Sequence, residues 1–150
     1  MADTTRWLDD DEQRTWRSFL LATQLIDEAL DRQLQRDADM PHAYYGILVA
    51  LSEATDNTLR MSDLARHLRY SQSRMTHAIS SMERSGWAER RDCPTDRRSQ
   101  LVSITAAGTE VLHATAPGHV AEVRAVLFDK LSDDQVAQLR DICLTLIDGR

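Results

Sequence analysis

The stretch from Met61 to Thr105 constrains the fold more than any other part of this chain. Met61, Leu64, Ala65 and Leu68 fall on one face of a short helix that Ser62 is placed to cap. After a tight turn at Arg69 and Tyr70, Ser71 is placed to cap a second helix, in which Met75, Ala78, Ile79 and Met82 recur at helical spacing. Gly86 follows as a left-handed C-terminal stop. Trp87 to Asp92 and Leu101 to Ile104 then read as two short strands, with Cys93 to Gln100 as the loop between them. Helix, tight turn, helix and hairpin in that order describe a winged helix-turn-helix.

The flanks are helical. Trp16, Phe19, Leu20, Ile26, Ala29, Leu30 and Leu34 mark a long amphipathic helix starting near the acids Asp9 to Asp11, which suit a helix N-terminus. Pro41 suits the first turn of a second helix carrying Tyr44, Tyr45, Ile47, Leu48 and Leu51. Thr105 reads as the cap of a helix running toward Lys130, with Pro117 and Gly118 marking a kink or break. Its stripe of Val120, Val123, Leu127 and Leu131 is repeated after Ser132 by Val136, Leu139, Cys143 and Leu146. The expected fold is mainly α with a small β-hairpin wing: a winged helix-turn-helix core flanked by long N- and C-terminal dimerisation helices. Residues 1–150 form one domain on this reading, with the lobe at 40–105 and the dimerisation helices at 8–36 and 106–150. A lobe this small leaves the terminal stripes uncovered, and pairing with a second copy covers them economically.

The charge is segregated. The whole chain carries −6, yet Arg60 to Arg98 holds nine arginines against five acids, a local +4 that leaves −10 elsewhere. Local fields rather than totals steer nucleic acid. Seventeen of the eighteen basic residues are arginine, so part of this enrichment is a whole-chain bias. With the apolar face of the second helix packed inward, its other face presents Ser71, Gln72, Ser73, Arg74, Thr76, His77, Ser80, Ser81 and Arg84. Short hydroxyls and amides allow close approach to phosphates and base edges, Gln can pair adenine, and Arg can pair guanine. At the hairpin, Arg97 and Arg98 are placed to reach a minor groove, with Asp96 near enough to hold such a side chain by a charge-assisted hydrogen bond. The expected DNA-binding set is Ser71, Gln72, Ser73, Arg74, Thr76, His77, Arg84, Asp96, Arg97 and Arg98.

Asp96 and Arg98, followed by Leu101, Ile104 and Thr105, resemble the wing signature of the MarR family of bacterial transcriptional regulators. Upstream, Leu64 to Leu68 and Ser71 to Trp87 are similar to the family's paired helices, with Met82, Glu83 and Gly86 at its helix exit. The order of helices fits over essentially the whole chain. The resemblance implies a homodimer on a short pseudo-palindromic double-stranded operator, more often repressing than activating. It also implies release by a small, commonly aromatic or phenolic effector, or by cysteine oxidation. The family's effector pocket between dimer helices and lobe corresponds here to Trp16, Phe19, Leu20, Thr23, His42, Tyr44 and Tyr45. Apolar residues at helical spacing usually build cores, and that packing role is the simpler reading of these aromatics.

Other chemistry has less support. Cys93, beside Asp92 and several arginines, is expected partly exposed, and a redox-responsive regulator acting through it is one alternative. Oxidation-sensing relatives carry their cysteine near the N-terminal helix, where this chain has none, and Cys143 fits the buried stripe of the last helix. Zinc sensing occurs in relatives, but His42, His67, His77, His113 and His119 include no pair at the spacing of two ligands on one helical face, so no metal or cofactor is expected. No phosphate loop, nucleophile elbow or zinc-hydrolase motif argues for an enzyme. A winged-helix protein interaction module, its basic face docking an acidic partner, is the remaining alternative. No apolar run approaches the ~20 residues of a membrane span and no signal-peptide core precedes Glu12, so a cytoplasmic location is expected.

Overall fold

The first helix, α1 (Asp10–Ala38), begins where the sequence places it. The Asp9 carboxylate accepts from the Glu12 amide at 2.8 Å, and the Glu12 carboxylate accepts from the Asp9 amide at 3.0 Å. This reciprocal pairing satisfies two amides that a helix start leaves free. The structure, a computed structural model, describes residues 5–149 apart from the side chain of Arg97. Only the last third of α1 is buried, through Ala29, Leu30, Gln33 and Leu34. Asp39 ends the helix in the left-handed region, at φ 49°. Pro41 stands at the N-cap of α2 (His42–Ser52), one position outside the helix rather than in its first turn.

The lobe core is built around α2, whose Ile47, Leu48 and Leu51 are fully buried with Leu34, Met40, Leu64, Met75, Ile79, Met82 and Val102. A short strand, β1 (Thr58–Arg60), runs straight into α3 (Met61–His67). Arg60 therefore holds the N-cap position without a side-chain bond, and Ser62, expected as the cap, lies inside the helix. The next helix, α4 (Gln72–Arg84), is capped by Ser71, which accepts from the Arg74 amide. It ends in a Schellman turn, with Trp87 N bonded to Met82 O, Gly86 N bonded to Glu83 O, and Gly86 at φ 74°.

Strands β2 (Ala88–Cys93) and β3 (Asp96–Ile104) form the hairpin, and β1 pairs antiparallel on the other side of β3 to give the order β1-β3-β2. The expected loop Cys93 to Gln100 is mostly strand, since only Pro94 and Thr95 lie between β2 and β3. Its residues are polar or charged apart from Cys93 and Pro94, so no apolar alternation announces the strand.

Helix α5 (Ala106–Val126) is capped by Thr105 and runs through Pro117 without the break that the sequence allows there. An interior proline costs about 3 kcal/mol. Here the helix is held on both sides of it: by the Thr105 cap, and by His119 bonded to Gln33 of α1. Gly118 lets the two helices meet, because a Cβ there would lie 2.9 Å from Asp37 Oδ2. A 3₁₀ turn (Phe128–Lys130) and a Ser132–Gln135 capping box lead into α6 (Asp133–Asp148), which has no fully buried residue and half-buries only Val136, Ala137 and Leu139. Cys143, expected in a buried stripe, is therefore exposed. No helix among the described residues is long and apolar enough to cross a membrane.

Candidate nucleic-acid interface

Helix α4, about 20 Å long at 1.5 Å per residue, carries its polar residues outward. Gln72, Ser73, Arg74, Thr76, His77 and Arg84 are exposed. Ser71 is exposed as well, but its hydroxyl serves the cap and pairs with that of Ser73 at 3.2 Å. The Arg74 guanidinium lies 4.0 Å from the centre of the Tyr70 ring, a cation–π contact that turns it toward the start of the helix. Ser80 and Ser81 are half-buried rather than presented. Between α4 and the hairpin lies a cleft of about 400 Å³ lined by Gln72, Thr76, Asp92, Arg98, Ser99 and Gln100, and by Met61 and Ser62 of α3.

The hairpin is organised by Asp96, though not as its sequence context suggests. Its carboxylate accepts from the backbone amide of Arg98 at 3.0 Å and from the Ser99 hydroxyl at 2.6 Å. The Arg60 guanidinium lies 3.8 Å from it and donates to the Ser99 hydroxyl at 3.2 Å. Toward Arg98 the carboxylate holds the backbone amide rather than the guanidinium, and the Arg98 side chain is exposed. The Ser99 hydroxyl and the Arg98 amide, with help from Arg60, hold the Asp96 carboxyl below the usual carboxylate range. Arg97 has its backbone in β3, and its side chain lies outside the described residues.

Two parts of the site escaped sequence reading. Arg60 braces the hairpin from β1, and three residues are too few to declare a strand by alternation. Glu83 pairs with Arg90 at 2.6 Å between α4 and β2, a contact that depends on a tertiary approach no local pattern encodes.

Cys93 is buried, not partly exposed, and its thiol lies 3.3 Å from the Thr95 hydroxyl. That hydroxyl is the main influence lowering the thiol's pKa, while burial limits access to the sulfur. Among the described residues no three His, Cys, Asp or Glu side chains are grouped to hold a metal ion.

The seven effector candidates are not brought together. Trp16, Phe19, Leu20 and Thr23 sit on the exposed half of α1, where the Trp16 and Phe19 rings stack at 6.3 Å and Thr23 bonds back to Phe19 O and Leu20 O. They line no core within the single chain either. Tyr45 is buried and Tyr44 packs half-buried against the lobe core. His42 lines an open cavity of about 700 Å³ with Asp27, Glu28, Asp31, Tyr70 and Arg74. Behind it, buried His119 shares a hydrogen bond of 3.1 Å with Gln33, which donates to Asp37 at 2.7 Å, and its ring lies 4.2 Å from that of Tyr45. Burial, with His42 nearby, holds the His119 imidazole below its ordinary value.

Comparison with known proteins agrees with this geometry. A family model described as "MarR family" matches residues 38–99. The chain superposes on the DNA-bound crystal structure of Sco3205, a MarR family transcriptional regulator from Streptomyces coelicolor, with TM-score 0.94 and 47% identity, over 98% of this chain and 92% of that one. It superposes on AbsC, a MarR family transcriptional regulator from the same organism, with TM-score 0.89 and 36% identity, over 97% of this chain and 100% of that one. It is 28% identical over 91 residues to the transcriptional repressor YetL of Bacillus subtilis, covering 61% of this chain and 54% of YetL. The chain spans about half the length of the curated relatives it matches.

Proposed function

This chain belongs to the MarR family of winged-helix transcriptional regulators, and on that premise we propose that it binds a pseudo-palindromic operator as a homodimer and represses transcription. The observation that carries the reading is the pairing of the exposed polar face of α4 with a hairpin whose Asp96 frees Arg98 for DNA. In this proposal Gln72, Ser73, Thr76, His77 and Arg84 meet base edges and phosphates from the major groove. Ser71 and Arg74 position the helix start, and Arg98 works from the wing together with Arg97. Acting on DNA, the protein works in the cytoplasm and needs no catalysis.

The homodimer is supported by apolar faces left open at both ends of the chain. Trp16, Phe19, Leu20, Leu21 and Leu25 are exposed on α1, and Ile142, Leu144, Leu146 and Ile147 on α6. A two-fold pairing through these helices sets two α4 helices about one DNA turn apart, roughly 34–36 Å. A small aromatic or phenolic effector, the class the family resemblance implies, would act by linkage. It must bind the form mismatched to the operator more tightly, by the free energy it removes from DNA binding. Hydroxyl-radical footprinting on DNA upstream of the protein's own gene tests the reading. Two protected patches about 10 bp apart, related by a dyad, are expected; a single asymmetric patch would contradict the dimeric operator.

A further inference from the structure

By charge alone every arginine of the lobe is a phosphate contact, but Arg90 is turned inward. Its Nη2 lies 2.6 Å from Glu83 Oε2, with the two side chains only 25% and 29% exposed. The same Nη2 donates to the Ser80 hydroxyl at 3.2 Å, and the Arg90 backbone amide donates to Glu83 Oε1 at 3.0 Å. Both oxygens of Glu83 are thus committed to one residue of β2, through a charge-assisted pair and a backbone bond. Ser80 and Glu83 are three residues apart and share one face of α4, so helix and strand are joined along that face. Since β2 is an edge strand, the Glu83 bond also occupies an outward amide that the sheet leaves open.

The position of this contact gives it leverage. At its root the hairpin is fixed by the Gly86–Trp87 turn, where the Thr105 hydroxyl donates to Gly86 O at 2.6 Å and Thr105 N donates to Trp87 O at 3.0 Å. Pairing with β1 and the Arg60 brace hold the β3 side of the hairpin, which leaves the β2 side to be fixed against α4. Arg90 supplies that contact. From Arg90 the strand continues four residues to Pro94, about 13 Å at 3.3 Å per residue. A tilt of about 10° at the clamp would move the tip by about 2 Å, several times the spread of about 0.5 Å that a hydrogen bond tolerates.

We propose that Glu83 and Arg90 are positioning residues for DNA reading: they set the wing's direction relative to α4, so that Arg98 and the α4 face engage one duplex together. The proposal rests on the regulatory reading above. The test compares wild type, Glu83→Ala, Arg90→Ala and the double variant on an operator selected from random DNA by the wild-type protein and on a scrambled duplex. Each single variant is expected to lose operator affinity by about ten-fold or more and scrambled-duplex affinity by less than about three-fold, with the double variant no worse than about two-fold beyond the weaker single. If Arg90 instead touches phosphate, Glu83→Ala stays neutral or tightens binding. Arg90→Ala then weakens both duplexes and flattens the salt dependence by about one ion, which overturns the clamp. A lowered melting temperature with an unchanged operator-to-scrambled ratio overturns it too. Should an alanine variant not fold, Glu83→Gln and Arg90→Lys take its place. Lysine keeps the charge but not the fork, so retained operator preference in Arg90→Lys contradicts the clamp and its loss supports it. Absence of any operator preference in the wild type would defeat the regulatory reading, and the clamp's role in DNA reading with it.

Discussion

Asp96 acts against its own charge. A carboxylate facing DNA repels phosphate, so by charge alone its removal should tighten binding. The structure predicts the reverse, because that carboxylate ties together the Arg98 amide, the Ser99 hydroxyl and the Arg60 guanidinium. Asp96→Ala is expected to weaken operator binding by about 1–3 kcal/mol, like Arg98→Ala, whose loss is that of one good contact. Both variants should remain dimeric. Anisotropy titration measures the affinities, and tighter binding by Asp96→Ala, or unchanged binding by a folded Arg98→Ala, would contradict the wing assignment. The sequence identified both residues but not that Asp96 takes the Arg98 backbone amide instead of its side chain. Spacing places Asp96 beside the arginines, but only the turn decides whether backbone or side chain reaches the carboxylate. Arg90 shows the same limit, since it counts as positive charge in the sequence and as a buried partner of Glu83 in the fold.

At the scale of elements, what the sequence foretold was carried by local physics. The Asp9, Ser71 and Thr105 caps, the Gly86 stop and the apolar stripe of α4 all depend on residues within a turn or two of one another. What it missed depends on distant partners: β1 exists because β3 pairs with it, and α5 survives Pro117 because α1 packs against it. Two glycines of similar appearance also differ by tertiary approach. A Cβ on Gly108 would lie 2.1 Å from the Trp87 carbonyl oxygen, whereas one on Gly46 meets nothing within 4 Å. Gly108→Ala should cost about 1–3 kcal/mol of stability, and Gly46→Ala should add about 0.5–1 kcal/mol; thermal melts giving both the same sign would contradict this packing. The network joining α1, α2 and α5 carries a pH signature as well. His119 is held below its ordinary value of 6.5, so as pH falls through 6.5 the unfolded chain takes up a proton before the folded one does. Stability from this group is therefore complete above that range and declines on acidification. Between about pH 7.5 and 5.5 the melting temperature of the wild type should fall more steeply than that of His119→Gln. Equal slopes would mean that His119 is not the group responsible.

For the whole molecule, the division of labour follows the division of charge and of exposed apolar surface. The arginine-rich segment from Arg60 to Arg98 carries +4 in a chain of net −6, while α1 and α6 leave large apolar side chains uncovered. Sequence periodicity foresaw the stripes but could not tell which would be covered inside one chain. Helix α6 half-buries only Val136, Ala137 and Leu139 within it, and Trp16 and Phe19 build no core there. If a second copy covers them, Leu25→Glu combined with Leu144→Glu should shift the protein from dimer to monomer in sedimentation and cost it operator binding, leaving the lobe core intact. A folded variant that still sediments as a dimer would place the interface elsewhere. If α4 and the wing read sequence, the protein must prefer one duplex over another of the same composition. Duplexes are enriched from a random pool by the purified protein, and the winner is titrated by fluorescence anisotropy beside its scrambled counterpart at matched near-physiological salt. A preference of ~10³-fold or more is the predicted result; equal, weak binding to both, or no enrichment at all, would contradict it.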